Sequence, residues 1–171
     1  MHSPRDHKLG NRVAHRAKRL SALRRWEYPT VDRAVIAVTE GADEDDYLLY
    51  ALAGKAFTIW HSGRSDVHYG KTGTGLGRAM RQLGRAGAYG PRDPRAERAL
   101  ATLLDADTPH RLAAALDSVM AAVSGVDHPP HWETLISDLR DWHNPTRRDQ
   151  VRLRWGQQFY TAPPKPTEPT D

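Results

Sequence analysis

The sequence predicts an all-α protein of about seven to nine helices in two small packed bundles, with no significant β-sheet. Three observations carry that prediction. Trp132, Leu135, Ile136, Leu139 and Trp142 recur at helical spacing, and Val151, Trp155 and Phe159 repeat at i, i+4 and i+8. Asp93-Pro94 and Thr108-Pro109 stand before apolar periods, pairing an N-cap residue with a proline in the first helical turn. No segment shows the strict alternation of a half-buried strand.

In chain order, Leu9 to Arg25 reads as a basic amphipathic helix with Val13, Ala17 and Leu20 inward. It is halted by Tyr28-Pro29, because the residue before a proline disfavours the helical region. A short helix follows over Val31 to Val38. The next is expected to begin at Asp43, Glu44, Asp45 and Asp46, whose carboxylates suit the positive end of the helix dipole. It runs to about His61, burying Leu48, Leu52, Ala56, Phe57 and Trp60. The glycine-rich run from Ser62 to Thr74 reads as a mobile loop.

Gly75 to Gly87 is predicted to be a helix with Leu76, Met80 and Leu83 inward and Arg78, Arg81 and Arg85 together on the opposite face. Tyr89 to Asp93 reads as a turn and as the boundary between an N-terminal subdomain, 1–90, and a C-terminal bundle, 91–162. Asp93 caps a helix carrying Ala96, Leu100, Leu103 and Leu104. Thr108 caps one carrying Leu112, Leu116, Val119, Met120 and Val123 up to Gly125. The two aromatic helices, joined around Pro145, form a closing hairpin. Residues 163–171 are proline-rich and expected to be disordered.

Composition narrows the function classes. There is no cysteine, so disulfides, thiolate chemistry and a cysteine-based zinc site are excluded. No apolar run approaches the roughly 20 residues of a membrane span, and the start at Met1 lacks the apolar core of a signal peptide, so the expected location is the cytoplasm, with no membrane partner. The net charge is +4, but it is segregated. Residues 1–30 hold eight basic side chains against two acids, and 71–99 hold seven against two. The stretch between them carries the Asp43 to Asp46 cluster. Such segregation can build a basic face, the footprint of a polyanion binder; solvated basic faces are also common in proteins that bind none.

Candidate chemistry fails on inspection. Gly70-Lys71-Thr72 before a helix suggests a phosphate loop, but the pattern needs glycine at position 65, where Ser65 stands, and no apolar strand leads in. Gly73, Gly75 and Gly77 miss the dinucleotide spacing. Lys71 instead suits contact with a backbone phosphate. His128 and His131 flank two prolines, with His143 about three turns on and no third ligand at helical spacing from His131, so no metal site is expected. No serine or carboxylate pair has a hydrolase context, and neither catalysis nor a cofactor is expected. Trp142, Trp155 and Phe159 read as core rather than as base-stacking surface. Arg152 on one flank of their stripe, and Arg147 and Arg154 on the other, border that core.

Gly75-Leu76-Gly77-Arg78-Ala79, Asp138-Leu139-Arg140-Asp141-Trp142 and Arg154-Trp155-Gly156-Gln157-Gln158-Phe159-Tyr160 resemble, in order and spacing, the S-L-G-R-A-L, D-L-x-x-W and R-W-x-x-x-F-Y segments of the CasB family, the small subunit of the type I-E CRISPR complex Cascade. The resemblance covers about residues 9–162. It implies an all-helical, non-catalytic subunit present in two copies, which contacts the backbone and large subunits and steadies the guide RNA–target DNA R-loop and the displaced strand. It implies that Arg24 and Arg25 correspond to the basic pair ending the first helix, and Arg147 and Arg148, followed by Arg152, to the patch opening the last. Where some relatives carry a basic residue, this chain has Asp43 to Asp46. With Lys71, Arg78, Arg81 and Arg85, these arginines form the expected nucleic-acid-binding set, and phosphate contacts of this kind tip a nearly balanced strand exchange without reading sequence. A free-standing helical DNA-binding regulator and a scaffold that binds only protein are the alternatives. A helix-turn-helix needs a turn of three or four residues, and the loop before Gly75 is longer than that.

Overall fold

A computed structural model describes residues 21–162. The described chain begins with a 3-10 turn, Ser21–Arg25, followed by helices α1 (Arg33–Thr39), α2 (Tyr47–Trp60) and α3 (Leu76–Met80). A two-residue hairpin follows, β1 (Gly84–Arg85) and β2 (Ala88–Tyr89). After a 3-10 turn over Gly90–Arg92 come α4 (Pro94–Leu104), α5 (Pro109–Val123), α6 (Trp132–His143) and α7 (Pro145–Tyr160). Seven α-helices and one small antiparallel hairpin among the described residues make the predominantly α fold that the periodicity predicts. Among the described residues no helix is long and apolar enough to cross a membrane.

The helix starts follow from local chemistry. Asp32 accepts from the Val35 amide at 2.9 Å, Asp93 from Arg95 at 2.7 Å, Thr108 from Arg111 at 3.3 Å and Asn144 from Thr146 at 3.0 Å. Each satisfies an amide that the first helical turn leaves without a partner. Pro94, Pro109 and Pro145 occupy first-turn positions where no amide is needed. Every residue from Leu49 to Thr58 is buried, so α2 is the central helix, with α1, α5 and α6 packed around it. Trp132, Leu135, Ile136, Leu139, Trp142, Val151, Trp155 and Phe159 are all buried, as their spacing requires. They belong to one continuous apolar cluster that also takes in Leu23, Val35, Leu76 and Met80, so it draws on both sides of residue 90.

Several expectations are corrected. The helix predicted over Gly75 to Gly87 stops at Met80, because Gly84 and Gly87 take φ of 135° and 91°, backbone angles that end a helix and that glycine alone adopts without strain. The chain turns into the hairpin instead, pairing Gly84 with Tyr89 and Arg85 with Ala88. Leu83 is only partly buried and Arg85 leaves the face it was to share with Arg78 and Arg81. Helix α2 begins at Tyr47, not Asp43, and the carboxylate of Asp46 turns aside to Arg140 at 2.9 Å rather than capping the helix. Of the helix predicted from Leu9 to Arg25, only Ser21–Arg25 is described, as a 3-10 turn, and the rest lies outside the described residues. The 163–171 tail also lies outside them.

The run from Ser62 to Thr74 has no regular element, yet it is held in place. The His131 amide donates to Thr74 O at 2.7 Å, the Trp132 amide to Tyr69 O at 3.3 Å and the Trp132 indole to His68 O at 2.7 Å. Gly70 lies so close to Pro130 and His131 that an added Cβ would come within 2.6 Å of Pro130 O. The expectation of mobility here gives way to a loop stitched onto the segment leading into α6.

Candidate nucleic-acid interface

The motifs that sequence comparison picks out separately meet in one seam. Gly75 and Gly77 let α3 press against the middle of α7: a Cβ on Gly77 would stand 2.0 Å from Trp155 O, and one on Gly75 would stand 2.2 Å from the Gln158 side chain. At Gly77, where the obstacle is backbone, only a residue without a side chain permits that approach, whereas at Gly75 the obstacle is the movable end of the Gln158 side chain. Arg78 donates to Thr161 O at 2.9 Å and Arg81 to Phe159 O, so two guanidinium groups satisfy carbonyls at the C-terminal end of α7, where the helix dipole favours positive charge. Below the seam, the Trp155 indole donates to Asp138 at 2.7 Å, and Arg154 pairs with the same carboxylate at 2.7 Å. Burial pushes the Asp138 carboxyl above its ordinary value, against the opposing pull of Trp155 and Arg154.

The other end of α7 carries the expected phosphate-contacting set. Arg147 is exposed and pairs with Asp141 at 3.0 Å. Arg148 lies over the Trp142 ring, 4.3 Å from its centroid, and donates to Trp142 O at 3.2 Å and Asp107 O at 2.8 Å. Arg152 donates to Ala106 O at 2.6 Å and Asp149 at 3.1 Å. Arg148 and Arg152 are therefore brought together on the loop between α4 and α5, and both help to fasten it. The expectation that these arginines merely border the core is corrected to that extent, since all three have partners and two of them, Arg148 and Arg152, bond carbonyls of the α4–α5 loop.

Convergence of Arg24 and Arg25 with this group is not found. Arg24 bonds Ser62 just beyond the C-terminal end of α2. Arg147 bonds Asp141, next to Arg140, and Arg140 is tied to Asp46 at the N-terminal end of the same helix. The two groups thus sit at opposite ends of α2, a helix of 14 residues and about 21 Å. Arg25, Lys71 and Arg85 are exposed, on the first 3-10 turn, the stitched loop and the hairpin. Among the described residues no group of three or more histidine or carboxylate side chains could hold a metal ion.

Sequence reasoning missed the interior ionic groups. Lys55 is buried and donates to Trp26 O at 2.5 Å and to Asp117 at 2.6 Å, and burial raises the Asp117 carboxyl although Lys55 opposes the shift. Lys55 interrupts an otherwise apolar helix, a signal that was present in the sequence. Its partner, 62 positions away, was not.

A model of the family described as CRISPR-associated protein Cse2 matches residues 11–160. The chain belongs to this family. The Cse2 family supplies the CasB small subunit of type I-E Cascade, in agreement with the three motifs that meet in the α3–α7 seam. Among solved structures, the crystal structure of CasB from Thermobifida fusca is similar with a TM-score of 0.67 at 21% identity, covering 90% of this chain and 98% of that one. At this identity the likeness speaks for the fold of this Cse2-family chain. Comparison with curated proteins gives no match.

Proposed function

We propose that this chain is a non-catalytic, nucleic-acid-binding subunit of a type I-E Cascade complex, stabilising the guide RNA–target DNA R-loop through contacts to backbone phosphates during antiviral defence. The observation that carries the reading is the Cse2 family match over residues 11–160. The exposed cations Arg25, Lys71, Arg85 and Arg147 support it on physical grounds, because arginine and lysine aimed at phosphate give affinity without sequence information. Its partners on this reading are the guide RNA–target DNA hybrid, the displaced strand, the backbone and large subunits, and a second copy of itself. R-loop formation is close to balanced, so a few such contacts suffice to bias it.

Binding of the full chain to single- and double-stranded DNA over a salt series tests the reading. Sequence-independent binding, with log affinity falling by about 0.7 to 0.9 per phosphate contact for each unit of log salt, is the expected result. Preference for one duplex sequence would point to a free-standing regulator, and absence of binding to a protein-only scaffold. Arg147→Ala should flatten the slope with little change in folding. The Arg147, Arg148 and Arg152 triple substitution should also loosen the α4–α5 loop.

A further inference from the structure

We propose that two adjoining clefts around Tyr160 take single-stranded nucleic acid by stacking its bases on Tyr160 and Tyr89. The inference rests on the polyanion-binding reading above and adds a second kind of contact to it, made to the base faces and at residues outside the arginine set already named.

Aromatic surface is scarce on this molecule. All five tryptophans and both phenylalanines are at most 4% exposed, whereas Tyr160 is 56% and Tyr89 52% exposed. Tyr160 lines both clefts. One, of about 440 Å³, runs past Leu153 and Arg152, and the other, of about 450 Å³, past Arg81, Tyr89 and Arg92. No acidic residue lines either cleft, although the chain carries 21. The pocket at Trp26 and Tyr28 differs in that Glu27 and Asp117 line it, which would repel phosphate.

The two rings are held by the fold rather than left on free tails. Tyr89 is fixed opposite Gly84 in the hairpin, and the following amide, Gly90, donates to Leu83 O at 2.7 Å. Gly90 lies directly against the Arg81 backbone, while the Arg81 guanidinium holds Phe159 O, one residue before Tyr160. The Tyr160 ring stands edge-on to buried Phe159 with 5.1 Å between centroids. One arginine thus braces the supports of both tyrosines. Arg92 is exposed beside them with no hydrogen bond or ion pair through its side chain among the described residues.

Exposed aromatic rings in a groove lined by arginine and free of carboxylates match single-stranded nucleic acid, whose bases offer flat faces and whose backbone needs cations. Duplex DNA hides those faces within its own stack. Stacking tolerates any base, so the contact keeps the sequence independence of the parent reading.

The test compares the full chain and its variants on a short dT oligonucleotide and on an abasic oligonucleotide of equal length, by fluorescence anisotropy at several salt concentrations. The chain should bind dT more tightly than the abasic strand. Tyr89→Ala and Tyr160→Ala should each lower dT affinity by about fivefold or more, leaving abasic binding and the salt slope unchanged. Tyr160→Phe should retain dT affinity, and Arg92→Ala should flatten the slope for both strands. Equal binding of dT and abasic DNA, or dT binding untouched by both alanine variants with circular dichroism intact, would overturn the stacking inference while leaving phosphate binding standing. No binding of either strand would overturn both readings.

Discussion

The arginines of the α3–α7 seam and those of the hairpin region come from the same basic stretch of sequence and end in different employment. Arg78 and Arg81 are spent on the carbonyls of Thr161 and Phe159, whereas Arg85 and Arg92 stand exposed a few residues later. The contrast recurs within α7, where Arg148 is stacked on Trp142 and bonded to Asp107 O while Arg147 keeps only an exposed partner pair with Asp141. A basic residue beside an apolar stripe is drawn into satisfying helix ends and loop carbonyls, because unpaired carbonyls near the core cost more than the arginine gains in water. One on a short hairpin has no such claim on it and stays available for a polyanion.

Substitutions can break or sharpen this contrast, beginning at the seam. Trp155→Ala, which opens a cavity in a fully buried site and removes the donor to Asp138, should cost about 3–5 kcal/mol in chemical denaturation. Gly77→Ala forces a methyl group against the Trp155 carbonyl and should cost about 1–3 kcal/mol, detected as a lowered midpoint with the slope unchanged. Wild-type stability in Gly77→Ala would mean that α3 does not press on α7 as described. Arg148→Ala should lose about 1–2 kcal/mol by giving up the ring contact and two carbonyl bonds, while Arg85→Ala and Arg92→Ala should stay within about 0.5 kcal/mol of the parent. Equal effects at all three positions would erase the distinction between partnered and exposed arginines.

The smallest effect concerns pH. The folded chain holds the Asp138 proton to a higher pH than the unfolded chain does, because burial disfavours the charged carboxylate. Protonation therefore favours the fold: the contribution is present below the ordinary carboxylate value and is lost as pH rises through the raised folded one. Asp138→Asn should flatten the part of the stability profile that rises as pH falls through that window, read as the difference between the two denaturation curves at each pH. An unchanged profile would remove Asp138 as its source.

The legible part of the fold was the part governed by periodicity and capping. Asp93, Thr108 and the stripe through Val151, Trp155 and Phe159 behave as read, because each depends on neighbours within four residues. The Gly75 to Gly87 helix was misread because Leu76, Met80 and Leu83 keep helical spacing while Gly84 and Gly87 take backbone angles that spacing does not report. The loop over Ser62 to Thr74 is legible as a loop, but its fastening is not, because its partners, His131 and Trp132, are about sixty residues away. For the candidate site, sequence identified cations but not their partners. Whether Arg78 or Arg85 is free depends on where the end of α7 lies, which is a tertiary fact.

The burial of Lys55 has a practical consequence. The described residues hold two lysines, and one has its amine sealed between Trp26 O and Asp117 while the other, Lys71, stands exposed on the stitched loop. An amine-reactive dye applied briefly to the native chain should therefore mark this region at Lys71 and spare Lys55, and unfolding should make both react. Because the loop is fastened at Tyr69 and Thr74, a fluorophore there would sit on a short, constrained tether beside the surface where nucleic acid is expected. Among the described residues the fold thereby separates one addressable lysine from one protected one, while Lys8, Lys18 and Lys165 lie outside them.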